Sequence, residues 1–523
     1  MTCARFNATP GAVNDDRLRQ TLRRVWGFDD FRPGQREVMH PLLEGASAAA
    51  VFPTGGGKSL CYQLPALLFE GLTLVVSPLI ALMKDQIDAL AERGVYAARL
   101  DSSLSREAFL EVMEAVRRGE CRLLYVAPER FNNERFRRAM AGIPIALFAV
   151  DEAHCISEWG HNFRPDYLKL VGYATELGAE RVLALTATAT PEVLDDICRA
   201  FAIDPAHAVV RPFHRPNLHL AVEAVAAVER DELLVRRLRA THGATIVYVT
   251  QQKTAERLAE HLVAAGIEAI AYHAGLKAER RAALQERFMA DEVRVVVATI
   301  AFGMGVDKRE IRHVVHYNLP KSLEGYAQEV GRAGRDGEPS TCVTLICPDD
   351  VAVLESFALG DTPTRPAVER LVENVFDAPP GGRVELSYIS LSHATDVRIL
   401  VVRTLLTYLE LDGYLRAETP FYENFRFKPK STSKEILAGL EEPRRAFMRS
   451  LLRLCEKKRT WIYIDVEAAS ARLQAPRAEV IGALEALHEN NSIELESSGM
   501  RFPYRVLRAP EDGLVDGLYR RSL

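Results

Sequence analysis

Three observations predict an α/β chain of two tandem doubly wound domains followed by an α+β region. From about residue 17 to 348, short apolar runs alternate with amphipathic helical patterns. One glycine-rich loop, PTGGGKS at 53–59, stands near the head of the first block. After 349 the sheet pattern stops and the linker-like breaks DTPTRP (361–366) and DAPPGGR (377–383) appear. The 523 residues accordingly divide into 1–205, 206–348 and 349–523.

In the first block, TLVVSPLI (73–80), RLLYVAP (122–128), IALFAVD (145–151) and RVLALTAT (181–188) have the length and composition of buried parallel strands. Amphipathic helices such as 104–118 lie between them. In the second, ATIVYVT (244–250), AIAYHAG (269–275), VRVVVAT (293–299), HVVHYNL (313–319) and TCVTLIC (341–347) are the strands, with 251–265 and 277–290 among the helices. The second block has no glycine-rich loop of its own, so a site at that loop is expected to lie between the blocks. In the last region, DVRILVVRTLLTYLELDGYLR (396–416) and PRAEVIGALEALHENNSIELE (476–496) share one order: helix, short polar turn, start of a strand. That order predicts two winged-helix-like units, with ordinary helix–hairpin packing as the alternative.

Composition bounds the chemistry. Net charge is −5 and hydrophobic content 48%, enough for full cores. No apolar run has the length of a membrane span, and the N-terminus lacks a basic head followed by an apolar stretch. The eight cysteines are scattered singly without a CxxC pair, which argues against a disulfide framework and a four-cysteine zinc knuckle. A reduced, cytoplasmic protein is expected. From Lys434 to Trp461, eight Lys/Arg face four Glu, a local basic excess hidden by the global sum.

The loop and the DEAH segment at 151–154 predict nucleoside-triphosphate hydrolysis. Thr54, Gly55, Gly56 and Gly57 can turn backbone N–H groups toward phosphates. Lys58 supplies a charge for the β/γ-phosphates, and Ser59 a hydroxyl for Mg²⁺. Phe52 occupies the place of the usual first glycine. Asp151 is suited to hold the metal's water shell, and Glu152 to polarise the attacking water.

Six further segments, in order within 17–348, resemble the motifs of the RecQ family of DNA helicases, within helicase superfamily two. They are WGFDDFRPGQ (26–35), SPLIALMKDQ (77–86), CISEWGHNFRPDY (155–167), LTATAT (185–190), ATIAFGMGVD (298–307) and QEVGRAGRDG (328–337). The resemblance implies RecA-like folds for both blocks, ATP and Mg²⁺ as cofactors, and 3′→5′ movement on single-stranded DNA with unwinding of tailed duplex. It also implies a role in DNA repair or recombination. Gln35 would meet both edges of adenine, with Phe28 and Arg32 flanking the ring. Asp307 would join the nucleotide-binding set, and Thr186 and Thr188 would couple hydrolysis to domain movement. Gln328, Arg332 and Arg335 would sit on one short element, the two arginines a helical turn apart, and reach the γ-phosphate on closure. Trp159 and Phe163 would stack bases, with Arg164 adding phosphate or cation–π contact.

The chain departs from the family after Asp349. Only Cys455 remains there and sixteen residues follow Leu507, so neither the usual zinc module nor the helical C-terminal domain is expected, and no structural zinc. RAETPFYENFRF (416–427) would put Phe421, Tyr422, Phe425 and Phe427 on or beside a hairpin, with Phe421 or Tyr422 a strand-separating wedge. Arg445, Arg449, Arg453 and Lys457 would form one basic stripe along a phosphate backbone. Inward packing and a solvated face are the plain alternatives. An RNA helicase, or a DNA-stimulated ATPase that remodels or anneals without unwinding, remains open at this level.

Overall fold

The computed structural model describes residues 15–522 apart from 79, 101–103, 105, 133, 158–163, 304–307, 361, 419, 431, 439, 459, 460, 490 and 491. The chain forms two compact units, 1–360 and 361–523.

The first unit holds two parallel sheets. One consists of β1 (Ala48–Val51), β2 (Leu72–Val76), β3 (Ala97–Leu100), β4 (Leu123–Val126), β5 (Ile145–Val150), β6 (Val182–Thr186) and β7 (Ala208–Val210). Its order is β3-β4-β2-β5-β6-β1-β7. The apolar runs make strands buried on both faces, as a parallel sheet covered by helices requires. β1 is almost wholly alanine, so it carries no apolar signal of its own. It nevertheless lies between β6 and β7, with Ala49 packed into one core cluster and Ala48 and Ala50 into another.

The second sheet, β8 (Leu218–Ala224), β9 (Ala244–Tyr248), β10 (Ala269–Tyr272), β11 (Val295–Ala298), β12 (Ile311–His316) and β13 (Ser340–Ile346), has the order β10-β11-β9-β12-β13-β8. The five strands other than β8 are those the apolar runs mark. β8 is an edge strand of half-exposed and exposed residues, which explains why no run announces it. The helix Asp349–Gly360 closes the unit. Asp350 anchors its first turn: it pairs with buried Arg230 at 3.1 Å and accepts from Asn318 Nδ2 at 2.8 Å and Leu319 N at 3.1 Å.

The second unit is built on an antiparallel sheet of β14 (Arg383–Leu386), β15 (Leu415–Ala417), β16 (Phe421–Pro429), β17 (Glu456–Lys458), β18 (Trp461–Ile464) and β19 (Ile493–Val506). Its order is β14-β19-β16-β18-β17, with β15 also on β19. Two winged-helix-like orders are present, and they are nested. The first runs helix Arg365–Val375, β14, helices Tyr388–Thr395 and Ile399–Leu411, β15 and the end of β19. The second, inserted between β15 and β19, runs helix Arg444–Arg453, β18, helices Val466–Leu473 and Arg477–Glu489 and the start of β19, which pairs with β16.

This nesting corrects two expectations. Segment 416–427 is not a hairpin, because β15 and β16 both pair with β19 rather than with each other. Phe421 and Tyr422 therefore lie opposite Arg501 and Met500 within the sheet, not at a tip, and Phe425 and Phe427 are buried in the core. The basic stripe is also interrupted: its helix ends at Arg453, and Lys457 belongs to β17.

Candidate nucleotide site

The site is assembled at the carboxyl ends of three adjacent strands. β1 leads into the phosphate loop, β5 into Asp151 and Glu152, and β6 into Thr186 and Thr188. Open α/β sheets place ligand-binding loops at such ends.

The glycines of the loop answer to local geometry. Gly55 and Gly57 have φ of 81° and 78°, which side-chain-bearing residues rarely adopt. A Cβ on Gly56 would stand 2.9 Å from the Pro53 carbonyl oxygen, and one on Gly57 2.4 Å from Gln35 Nε2. Lys58 Nζ donates to the Phe52 carbonyl at 3.1 Å. Burial lowers the Lys58 pKa, opposed by the nearby charges of Glu152 and Asp151.

Residues 28–35 brace the loop from the outside. Gln35, only 2% exposed, accepts from Arg32 N and donates to Gly57 O, both at 2.9 Å, and Arg32 Nη1 donates to Gly55 O. The Gln35 amide expected to face adenine thus also clamps the phosphate loop. Phe28 is 50% exposed.

Asp151 is buried beneath the loop. Its backbone N–H donates to Val76 O at 2.8 Å, and its own carbonyl accepts from the Tyr167 hydroxyl at 2.9 Å. Burial and the neighbouring Glu152 push its carboxyl pKa up, against the pull of Lys58. Glu152 sits in the left-handed region at φ 52° and ψ 42°, a conformation that costs about 1–3 kcal/mol for a non-glycine residue and turns up at functional sites. Among the described residues its buried Oε2 accepts no hydrogen bond, as fits an oxygen meant for a water. Ser59 and Asp151 carry oxygen donors of the kind hydrated Mg²⁺ takes.

His154 ties the acids to the next motif. Burial drives its pKa down to about 4, so the ring is neutral. Its Nδ1 lies 2.8 Å from Thr186 Oγ1, which itself donates to Thr188 O at 2.9 Å. The same ring nitrogen is 3.4 Å from Glu152 Oε2. The motif spelling contains His154 and Tyr167, but nothing in their spacing announces these contacts.

The second sheet supplies the opposite wall. Gln328 is buried on the helix Leu323–Val330. That helix ends before the arginines, so Arg332 and Arg335 lie on the following turn rather than on one continuous helical element. Arg332, 4% exposed, donates to Gly303 O, and its charge acts on the carboxyl of Glu152. The Arg335 side chain lies 3.7 Å from where a Gly55 Cβ would be. A Cβ on Gly331 would stand 3.1 Å from Thr54 Cβ. Glycine there lets the turn touch the phosphate loop.

Arg164 N donates to Cys155 O at 3.0 Å, closing the loop between them beside the acids. Trp159 and Phe163 within that loop, and Asp307, lie outside the described residues. Phe421 and Tyr422 belong to the other unit. The Phe421 ring lies between Arg383 at 5.8 Å and Arg477 at 4.8 Å, and Tyr422 is 39% exposed.

Two RecA-like sheets, with phosphate loop and acids on one and arginines on the other, define the two-domain core of the helicase class. The DEAD/DEAH box helicase family matches residues 32–197, and the helicase conserved C-terminal domain matches 229–337. The chain is 46% identical over 340 residues to the ATP-dependent DNA helicase RecQ of Bacillus subtilis, covering 64% of this chain and 57% of that one. It is 42% identical over 344 residues to the probable ATP-dependent DNA helicase RecS of Bacillus subtilis, covering 65% and 69%. With ATP-dependent DNA helicase Q-like 5 of Arabidopsis thaliana it shares 34% over 511 residues, 96% of this chain and 56% of that one. The chain belongs to the RecQ family of superfamily-two helicases, and spans little more than half the length of several of these relatives. Among solved structures, the DUF1998 helicase MrfA bound to DNA shares the fold at TM-score 0.54 and 17% identity, over 77% of this chain and 58% of that one.

Proposed function

We propose that this chain is an ATP-dependent DNA helicase that moves 3′→5′ on single-stranded DNA and unwinds tailed duplex, in DNA repair or recombination. The observation that carries this is the meeting of Thr54 and Gly55 with Gly331 and Arg335, which sets both halves of an ATPase site across one cleft. Bound ATP brings phosphates and Mg²⁺ to Lys58, Ser59 and Asp151. Glu152 orients and deprotonates the attacking water, helped by a buried Oε2 that accepts no hydrogen bond among the described residues. Arg332 and Arg335 reach the γ-phosphate and stabilise the charge of the transition state, with Gln328 on the preceding helix contributing to the same wall. Phe28, Arg32 and Gln35 receive the base.

Trp159, Phe163 and Arg164 are proposed to contact the strand, and the tie from Arg164 to Cys155 offers a short route from strand to acids. Opening base pairs opposes stacking of about 1.4 kcal/mol per step, so strand grip and hydrolysis must be coupled.

The three-part division at 205 and 348 is proposed to hold, with β7 crossing back to complete the first sheet. The protein is proposed to work without structural zinc, given the single thiol after 349, and in the cytoplasm on nucleoid DNA. Among the described residues no helix is long and apolar enough to cross a membrane.

The test is strand separation of a 3′-tailed duplex with ATP, beside ATP turnover on single-stranded DNA and RNA. Turnover without strand separation would favour a remodelling or annealing ATPase, and stronger stimulation by RNA would reassign the substrate.

A further inference from the structure

The segment joining the two parallel sheets is tied at both ends to the ATPase site. β7 ends at Val210 and β8 begins at Leu218. At the near end, Arg211 N donates to Val51 O at 2.9 Å, one residue before the phosphate loop's Phe52. At the far end, Asn217 O accepts from Ser340 N at 2.9 Å, and Asn217 Nδ2 donates to Gly334 O at 2.8 Å and Glu338 O at 2.9 Å. Between them, the Arg215 guanidinium donates from Nη1 to Gly331 O at 3.2 Å and from Nη2 to Gly334 O.

These two carbonyls belong to the residues immediately before Arg332 and Arg335. A planar fork of donors can hold two acceptors at a fixed spacing, which a lysine cannot. Gly334 is held from its other side too, since its own N–H donates to Ile311 O at 2.9 Å. Gly331, on the same turn, already meets Thr54 of the phosphate loop. Any rotation of the turn would therefore shift both arginines against that loop.

We propose that Arg215 is a positioning residue for hydrolysis: through residues 211–217 it holds the turn bearing Arg332 and Arg335 in register with the phosphate loop. It acts through backbone carbonyls and touches no reacting atom. This deepens the ATPase reading and rests on it.

The test is steady-state ATP hydrolysis by the full chain with saturating single-stranded DNA, comparing Arg215→Met and Arg215→Lys with the unaltered protein. Misplacing catalytic groups costs on the order of 10- to 100-fold in rate, so kcat should fall by that much for Arg215→Met and by less for Arg215→Lys. KM for ATP and affinity for a fluorescent ADP analogue should stay within about twofold. Combined with Arg335→Ala, Arg215→Met should cost less than the product of the two single losses, because both act through one turn. Unchanged kcat for Arg215→Met, or multiplicative losses in the double variant, overturns the proposal. So do parallel losses of kcat and ADP affinity in both Arg215 variants, which would mark a general packing role. If the unaltered chain showed no DNA-stimulated turnover, the ATPase reading would fall, not the linker geometry.

Discussion

The sheets of the two units show how differently one chain can use β-structure. In the first unit every strand pair is parallel, and strands β2, β4, β5 and β6 are buried along their whole length, so function is pushed to the strand ends. The phosphate loop, the two acids and Thr186 and Thr188 all lie at or just past the ends of β1, β5 and β6. In the second unit the strands are antiparallel and alternate. Phe425 and Phe427 point into the core while Glu423, Asn424 and Arg426 on the same strand are more exposed. A parallel, doubly covered sheet concentrates chemistry at one edge, and that chemistry is written as contiguous motifs. A half-solvated antiparallel sheet spreads its polar groups over a face, where no short motif collects them.

The largest test of this contrast is Lys58→Ala. Hydrolysis should fall to background while single-strand binding persists, measured as phosphate release and strand fluorescence anisotropy. Substantial turnover would remove the chemistry from the first sheet. Next come two truncations. A chain ending at Gly360 should keep nucleotide binding and hydrolysis but unwind poorly. A chain ending at Pro348 should lose hydrolysis too, because Asp350 no longer holds Arg230, Asn318 and Leu319. Equal hydrolysis by both would show that the helix from 349 is dispensable to the motor.

Phe427→Ala sharpens the independence of the units. Emptying a fully buried aromatic site costs about 3–5 kcal/mol, which should melt the second unit early and leave ADP binding intact. One cooperative transition shifted as a whole would contradict separate units. The smallest effects belong to the surface of the second sheet. Phe421→Ala or Tyr422→Ala should impair strand separation modestly, and single-strand-stimulated hydrolysis hardly at all. Since both residues sit along the sheet rather than at a tip, a severe unwinding defect in a folded variant would restore the wedge reading.

Legibility in the sequence followed the same division. The central strands β9, β11 and β12 are apolar runs that could be read directly, whereas β1 is alanine and β8 is a half-exposed edge, so neither stands out. Lys58, Asp151 and Glu152 are spelled in contiguous motifs. Arg332 and Arg335 were legible as residues but not as a turn beyond the helix end at Val330. Arg215 carries no motif signal in this reading, because its partners are backbone carbonyls more than a hundred residues away. In the second unit the helix–turn–strand orders were visible, but the shared strand was not. Pairing of β15 and β16 with β19 spans some eighty residues and leaves no local trace.

By itself the sequence determined the α/β class, the phosphate loop, the paired acids at 151 and 152 and the family, because each is carried by residues adjacent in the chain. Only the tertiary structure decided which carbonyls Arg215 and Arg332 hold, that Gln35 clamps the phosphate loop, that His154 reaches Thr186, and that one strand serves two winged-helix-like units. These depend on hydrogen-bond geometry and strand register between distant segments, and backbone acceptors look alike at every residue of a sequence.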